Sequence, residues 1–247
     1  DTMFRRPLLA LLAALAVPPA ARADGPRKTL TVAAAANLKA AAEELKKGFE
    51  AEQPGVELAL TLGASGNFFA QIQSGAPFDL FLSADREYPA KLVAAGLASA
   101  SDERVYAFGK LVAWTPPGSK LDLMKTGLAA LADPAVKKIA IANPALAPFG
   151  RATEWALRSA GVYDAVKEKL VLGMSAGQAA QFATTGAADV AFLPYSLTFG
   201  PELSAGKVIF VPEALVPKIE QSGIVLEGAK DPATARAFLA FVTGEKG

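Results

Sequence analysis

The sequence predicts an α/β protein of two units, each a mostly parallel sheet flanked by helices. Three observations predict it. Short apolar runs that read as strands alternate with stretches of helical periodicity. Gly, Pro, Asn or Ser marks most of the changeovers. No fixed-period repeat or long low-complexity linker interrupts the 247 residues, enough for one large domain or two lobes with their own cores.

Thr29-Leu30-Thr31-Val32 reads as the first strand, and Asn37 stands where a helix N-cap belongs, followed by Leu38, Ala41, Ala42, Leu45 and Phe49 at helical spacing. Residues 56–62 alternate as a strand, Gly63–Asn67 turns tightly, and Phe68, Phe69 and Ile72 begin a second amphipathic helix that ends at Gly75-Ala76-Pro77. Asp79–Ser83 is a short buried strand, after which Asp85 caps a helix carrying Leu92 and Val93. Such a β-α-β-α-β-α run implies a largely parallel, doubly wound sheet. Leu111–Trp114 and Ile139–Ala142 are the next strands; the loop 145–150 leads into a helix with Trp155, Ala156 and Leu157. Leu170–Gly173 is a strand, and Ser175 with Gln178 has the form of a capping box ahead of a helix that stops at Gly186. Strands at 190–193, 208–211 and 224–226 and a helix from about Ala233 to Phe241 complete the reading. Crossings between the units are expected near Ala107–Lys110 and Glu220–Gly223, giving one lobe of 24–107 plus 221–247 and another of 108–220. Trp114 and Trp155 fall in periodic patterns and are expected to be packed; Asp79 and Asp85 are expected to cap or pair.

Residues 1–23 read as an export signal: Arg5 and Arg6 precede a short apolar run, and Ala21-Arg22-Ala23 has the small-x-small form of a cleavage site, giving a mature start at Asp24. The apolar run is too short to span a bilayer, so no membrane insertion of the mature chain is expected. The formal net charge is +1; without the three basic groups and one acid of residues 1–23 it falls near −1. That balance gives no electrostatic support to nucleic-acid binding. The sequence has no Cys and no His, which removes disulfides, thiol nucleophiles, common zinc sites and Ser-His-Asp catalysis. An exported chain without either residue reads as a binder rather than an enzyme.

Four strand-to-helix junctions carry the candidate site: Ala36-Asn37, Ala64-Ser65-Gly66, Pro148-Phe149-Gly150 and Ser175-Ala176-Gly177. Each puts small or hydroxyl residues where a helix start exposes N–H groups and a positive dipole end, which favours an anion. Taken singly, each is an ordinary N-cap. None of these positions is basic or acidic, so neutral donors would select by geometry, and an ion that still carries a proton would lack an acceptor. This favours molybdate, tungstate or sulfate over phosphate.

Val32–Leu38, Gly63-Ala64-Ser65-Gly66, the stretch from Gln71 through Gly75-Ala76-Pro77-Phe78-Asp79 to Asp85, and Ala142-Asn143-Pro144 followed by Ala147–Ala152 resemble the periplasmic molybdate-binding proteins of ABC importers. The resemblance spans nearly the whole mature chain. It implies the type II periplasmic-binding-protein fold, with two lobes and two hinge crossings closing on molybdate or tungstate. It implies contacts from Ala36, Asn37 and Ser65 in the first lobe and from the Phe149 and Ala176 N–H groups in the second. Many relatives carry Ser at the position of Asn37. Some use a Tyr hydroxyl where Pro194 stands here; a shift of one residue in the alignment brings in Tyr195 as a further donor. The metal would be held only through its oxygens, with no cofactor, and a periplasmic monomer would deliver the ion to an ABC permease. The alternatives are a carrier of sulfate or chromate, or an exported enzyme using Ser65 as nucleophile, which would need a base that no His supplies.

Overall fold

The computed structural model describes residues 27–244, so the export signal and its cleavage site lie outside the described residues. In chain order the first unit holds β1 (Lys28–Ala35), α1 (Lys39–Glu52), β2 (Val56–Gly63), α2 (Ser65–Gln73), β3 (Leu80–Ser83), α3 (Glu87–Ala94) and β4 (Ala98–Gly109). The second holds β5 (Leu111–Thr115), α4 (Leu123–Thr126), β6 (Ile139–Ala142), α5 (Pro148–Ser159), α6 (Tyr163–Val166), β7 (Leu170–Gly173), α7 (Ala176–Thr184), β8 (Val190–Pro194) and β9 (Lys207–Phe210). The chain then returns to the first unit with β10 (Ile219–Leu226) and α8 (Pro232–Thr243).

The two five-stranded sheets repeat one plan, β2-β1-β3-β10-β4 and β7-β6-β8-β5-β9. In each, four strands point one way and one runs against them: β10 in the first sheet, β5 in the second. Each reversed strand is the first to enter its sheet after the chain has crossed over. Helices cover both faces. Phe49 of α1 and Phe238 of α8 meet edge to face at 4.9 Å on one side of the first sheet, while Phe68, Phe81 and Leu92 pack on the other. The second sheet is flanked by Leu157 and Phe192 on one side and by Trp114 and Ala179 on the other.

Several details depart from the sequence reading. β4 has no counterpart in it, because Ser99, Ser101, Asp102, Glu103 and Arg104 show no apolar alternation; it is a long polar strand at the sheet edge. β10 begins at Ile219 rather than at Ile224. Trp114 is buried and donates to the Leu203 carbonyl at 2.8 Å, but Trp155 is 60% exposed on α5. Asn37 caps nothing: it lies within a single 3₁₀ turn, Ala36–Leu38, whose cap residue Ala35 makes no side-chain bond. Ser175 does cap α7, accepting from the Gln178 N–H at 3.3 Å, while the Gln178 side chain returns to the N–H of Met174. Asp79 accepts from the N–H groups of Thr31 and Lys230, tying β1 to the chain after β10.

α8 is anchored by Asp231, which accepts from the Thr234 N–H at 3.1 Å and pairs with Lys28 at 2.9 Å. The Lys28 bond, helped by the Thr234 donors, lowers the Asp231 carboxyl from 3.8 to about 2. A depressed carboxyl contributes stability that is present above its unfolded pKa and lost as pH falls through its folded one. Asp231→Ala is therefore expected to lower the melting temperature at pH 7 and to converge with the parent as the pH falls from 3.8 toward 2 in thermal melts.

Candidate functional site

The four junctions leave the C-terminal ends of β1, β2, β6 and β7, the parallel pairs of the two sheets. Ala33, Ala34 and Ala35 carry β1 through the core without bulk, so the turn at Ala36-Asn37 begins deep in the protein. Ala64 is extended and Ser65 opens α2. Pro148 opens α5 with its φ already suited to a helix and with no N–H to lose, which places the Phe149 N–H in the first turn. Ala176 opens α7 behind the Ser175 cap. First-turn N–H groups such as those of Phe149 and Ala176 have no acceptor inside their own helix.

The junctions of the two units meet. The Gly66 N–H donates to the Leu146 carbonyl at 2.8 Å, joining the start of α2 to the loop before α5. The Ser196 hydroxyl donates to the Asn37 carbonyl at 2.8 Å. A methyl group added at Gly177 would lie 3.8 Å from the Ala36 methyl, so the start of α7 abuts the first turn. The Phe149 ring packs on Gly109, the last residue before the crossing. Ala36, Asn37, Ser65, Phe149 and Ala176 are all buried, Ser65 to 1% exposure.

The polar partners here are neutral. Ser65 Oγ accepts from the Ala84 N–H at 3.0 Å, which leaves its own proton to donate. Asn37 Nδ2 donates to Gln221 Oε1 at 2.6 Å. Charge gathers at the rim, where Arg151 pairs with Asp85, lies 3.3 Å from Glu87, and donates to the Tyr88 hydroxyl at 3.2 Å. Burial pushes the Asp85 carboxyl up from its ordinary value against the pull of the Tyr88 N–H and Arg151.

Tyr195 is placed differently from the other five. Its ring packs on Phe199 and Phe210 at 4.8 and 4.7 Å, and its N–H donates to the Lys110 carbonyl in the crossing. The hydroxyl from this loop that reaches across is that of Ser196. Sequence reasoning missed Ser196, Gln221 and Arg151 as the partner of Asp85. Asp85 itself was expected to cap or pair and does both, accepting from the Tyr88 N–H at 3.2 Å and pairing with Arg151, while the Pro194-Tyr195 alignment pointed toward the loop that carries Ser196.

Residues 30–247 match the family model of the bacterial extracellular solute-binding proteins. The chain belongs to that family. The chain is similar to the molybdate-binding protein ModA of Rhodobacter capsulatus, 37% identical over 238 residues, covering 95% of this chain and 88% of that one. ModA of Azotobacter vinelandii is 37% identical over 216 residues, covering 87% and 84%. The solved periplasmic molybdate-binding protein of Azotobacter vinelandii superposes with a TM-score of 0.79 at 33% identity, over 88% of this chain and 94% of that one. The paired sheets, each with one reversed strand, are thus the type II fold of a solute-binding protein.

A solute-binding protein holds its cargo and breaks no bonds, and the surroundings of Ser65 agree. The group touching its Oγ is an amide donor, which cannot take a proton as a base would. No helix among the described residues is long and apolar enough to cross a membrane.

Proposed function

We propose that this solute-binding protein captures molybdate or tungstate between its two units and hands the ion to an ABC permease. Ala36, Asn37, Ser65, Phe149 and Ala176 hold it, through backbone N–H groups, the Asn37 amide and the Ser65 hydroxyl. The observation that carries the reading is the meeting of four helix starts, two from each unit, around neutral donors. Free N–H groups and aligned peptide dipoles stabilise a fully ionised oxyanion, and fixed donors from two sides select by size. The ModA relatives supply the chemistry of the cargo. The ion is cargo, held through its oxygens, and no resident cofactor takes part.

The two sheet units are the lobes that part and close, 24–107 with 221–247 against 108–220. These divisions fall within two residues of the end of β4 and the start of β10. Capture by hinge closure follows, with the Gly66–Leu146 and Ser196–Asn37 bonds made only when the lobes meet. Export through residues 1–23, cleavage after Ala23 and action as a periplasmic monomer complete the reading.

Calorimetric titration with molybdate, tungstate and sulfate in parallel tests it. The expected outcome is one site per chain for the first two ions, with sulfate at least about tenfold weaker. Equal affinity for all three would replace the reading with that of a general oxyanion carrier, and no binding would end it.

A further inference from the structure

Asn37 carries a buried amide with one prong bonded and the other bare. Its Nδ2 donates to Gln221 Oε1 at 2.6 Å, while its Oδ1 is buried and has no hydrogen-bond partner among the described residues. A buried polar atom left in this way has lost its hydration without a replacement bond. The two ends of an amide exchange places by a half-turn, so the same frame admits an arrangement in which both prongs are used.

Gln221 has the means to provide one. It is 5% exposed on β10, and its Oε1 also lies 3.2 Å from the Tyr106 hydroxyl, which in turn sits 2.8 Å from the Ser83 carbonyl. Tyr106 reaches this place because β4 bulges there. Gln221 pairs with Ala107 and Ser222 with Val105, leaving Tyr106 as the extra residue. Bulges of this kind re-aim a side chain beside a functional site. The Tyr106 hydroxyl has one proton, which burial holds firmly in place, and the Ser83 carbonyl can take it. With its ends exchanged, the Gln221 amide directs its two Nε2 protons at Asn37 Oδ1 and at the Tyr106 oxygen, while the Tyr106 proton goes to the Ser83 carbonyl.

We propose that Gln221 is a positioning residue of the oxyanion site: in the loaded protein its Nε2 holds Asn37 Oδ1, which turns Asn37 Nδ2 toward the ion. The inference rests on the oxyanion reading above, since an anion must be met by a donor and Oδ1 is an acceptor. Tyr106 and the bulge that places it hold the pair of amides in register.

The test is a double-mutant cycle read by calorimetry with molybdate, using the parent, Gln221→Met, Asn37→Ala and the pair. Gln221→Met is expected to weaken binding about tenfold in the parent, as one hydrogen bond would. In the Asn37→Ala background the loss should shrink to less than about twofold, because Gln221 acts through Asn37. The side-chain ¹⁵N amide signals of Gln221 and Asn37 are expected to shift together as molybdate is added. Gln221→Glu keeps the shape but can only accept, and is expected to cost on the order of a hundredfold. Equal losses in both backgrounds, or parental affinity in Gln221→Glu, would overturn the inference while leaving the oxyanion reading intact. A parent that binds none of molybdate, tungstate and sulfate would overturn both.

Discussion

Gly66→Ala is expected to weaken molybdate binding by on the order of a hundredfold while shifting the melting temperature of the ligand-free protein by no more than about 2 °C. A methyl group at this position would lie 2.8 Å from the Leu146 carbonyl oxygen and 3.1 Å from the Leu146 Cα. Both are backbone atoms of the opposing lobe; the first distance is shorter than such contacts tolerate and the second is tight. The neighbour within its own lobe is the Tyr88 hydroxyl at 2.6 Å, the far end of a side chain that can give way. The clash therefore falls on closure, and an overpacked contact of this kind costs about 1–3 kcal/mol or somewhat more. Affinity is the free energy of the closed, loaded state, so the whole of that cost appears in Kd. Calorimetry and thermal melts on the same preparation check it. A drop in melting temperature with unchanged affinity would place the strain inside the first lobe instead.

Ser65→Ala is expected to weaken molybdate binding by about 1–3 kcal/mol, a charged acceptor having lost one donor. The side chain has two tasks. Its lone pair accepts from the Ala84 N–H at 3.0 Å, and its proton is the part left for the ion. Alanine removes both, so the unliganded protein should also lose stability, because the Ala84 N–H is buried next to a methyl group. Denaturant melts without ligand measure that second loss and allow it to be separated from the first. Unchanged affinity in the variant would remove Ser65 from the site.

The parts of this protein that could be read from its sequence are those fixed by local chemistry. Apolar runs such as Leu80–Ser83 and Ile139–Ala142, bounded by turn residues, read as buried strands, and of the four junctions the one at Ser175 carried its own cap. β4 was hidden because an edge strand needs no apolar face, and Glu103 and Arg104 of its polar run pair with Ile224 and Gly223 of β10 through the backbone. Asn37 looked like a cap because Asn usually is one; its amide instead serves Gln221, 184 positions away in the chain. Trp155 fell on a helical period that carries the apolar face of α5, yet its own side chain lies outside it. What local patterns cannot contain is the partner brought by a distant crossing. The contacts Gly66–Leu146, Ser196–Asn37 and Gln221–Tyr106 all depend on how the sheets are assembled.

The return of β10 to the middle of the first sheet also fixes an order of assembly. The strands of the second lobe form one unbroken run from Leu111 to Phe210, so that half has all its strands as soon as the run exists. The first lobe does not: Ser83 waits for Ser222, and until β10 arrives β3 and β4 have open edges with nothing between them. Pairing over such a separation is slow, since the loop must close before the contacts form. A chain handled N-terminus first thus leaves its earliest strands unfinished the longest. They stay extended and available to whatever must thread, chaperone or degrade the chain before it is complete.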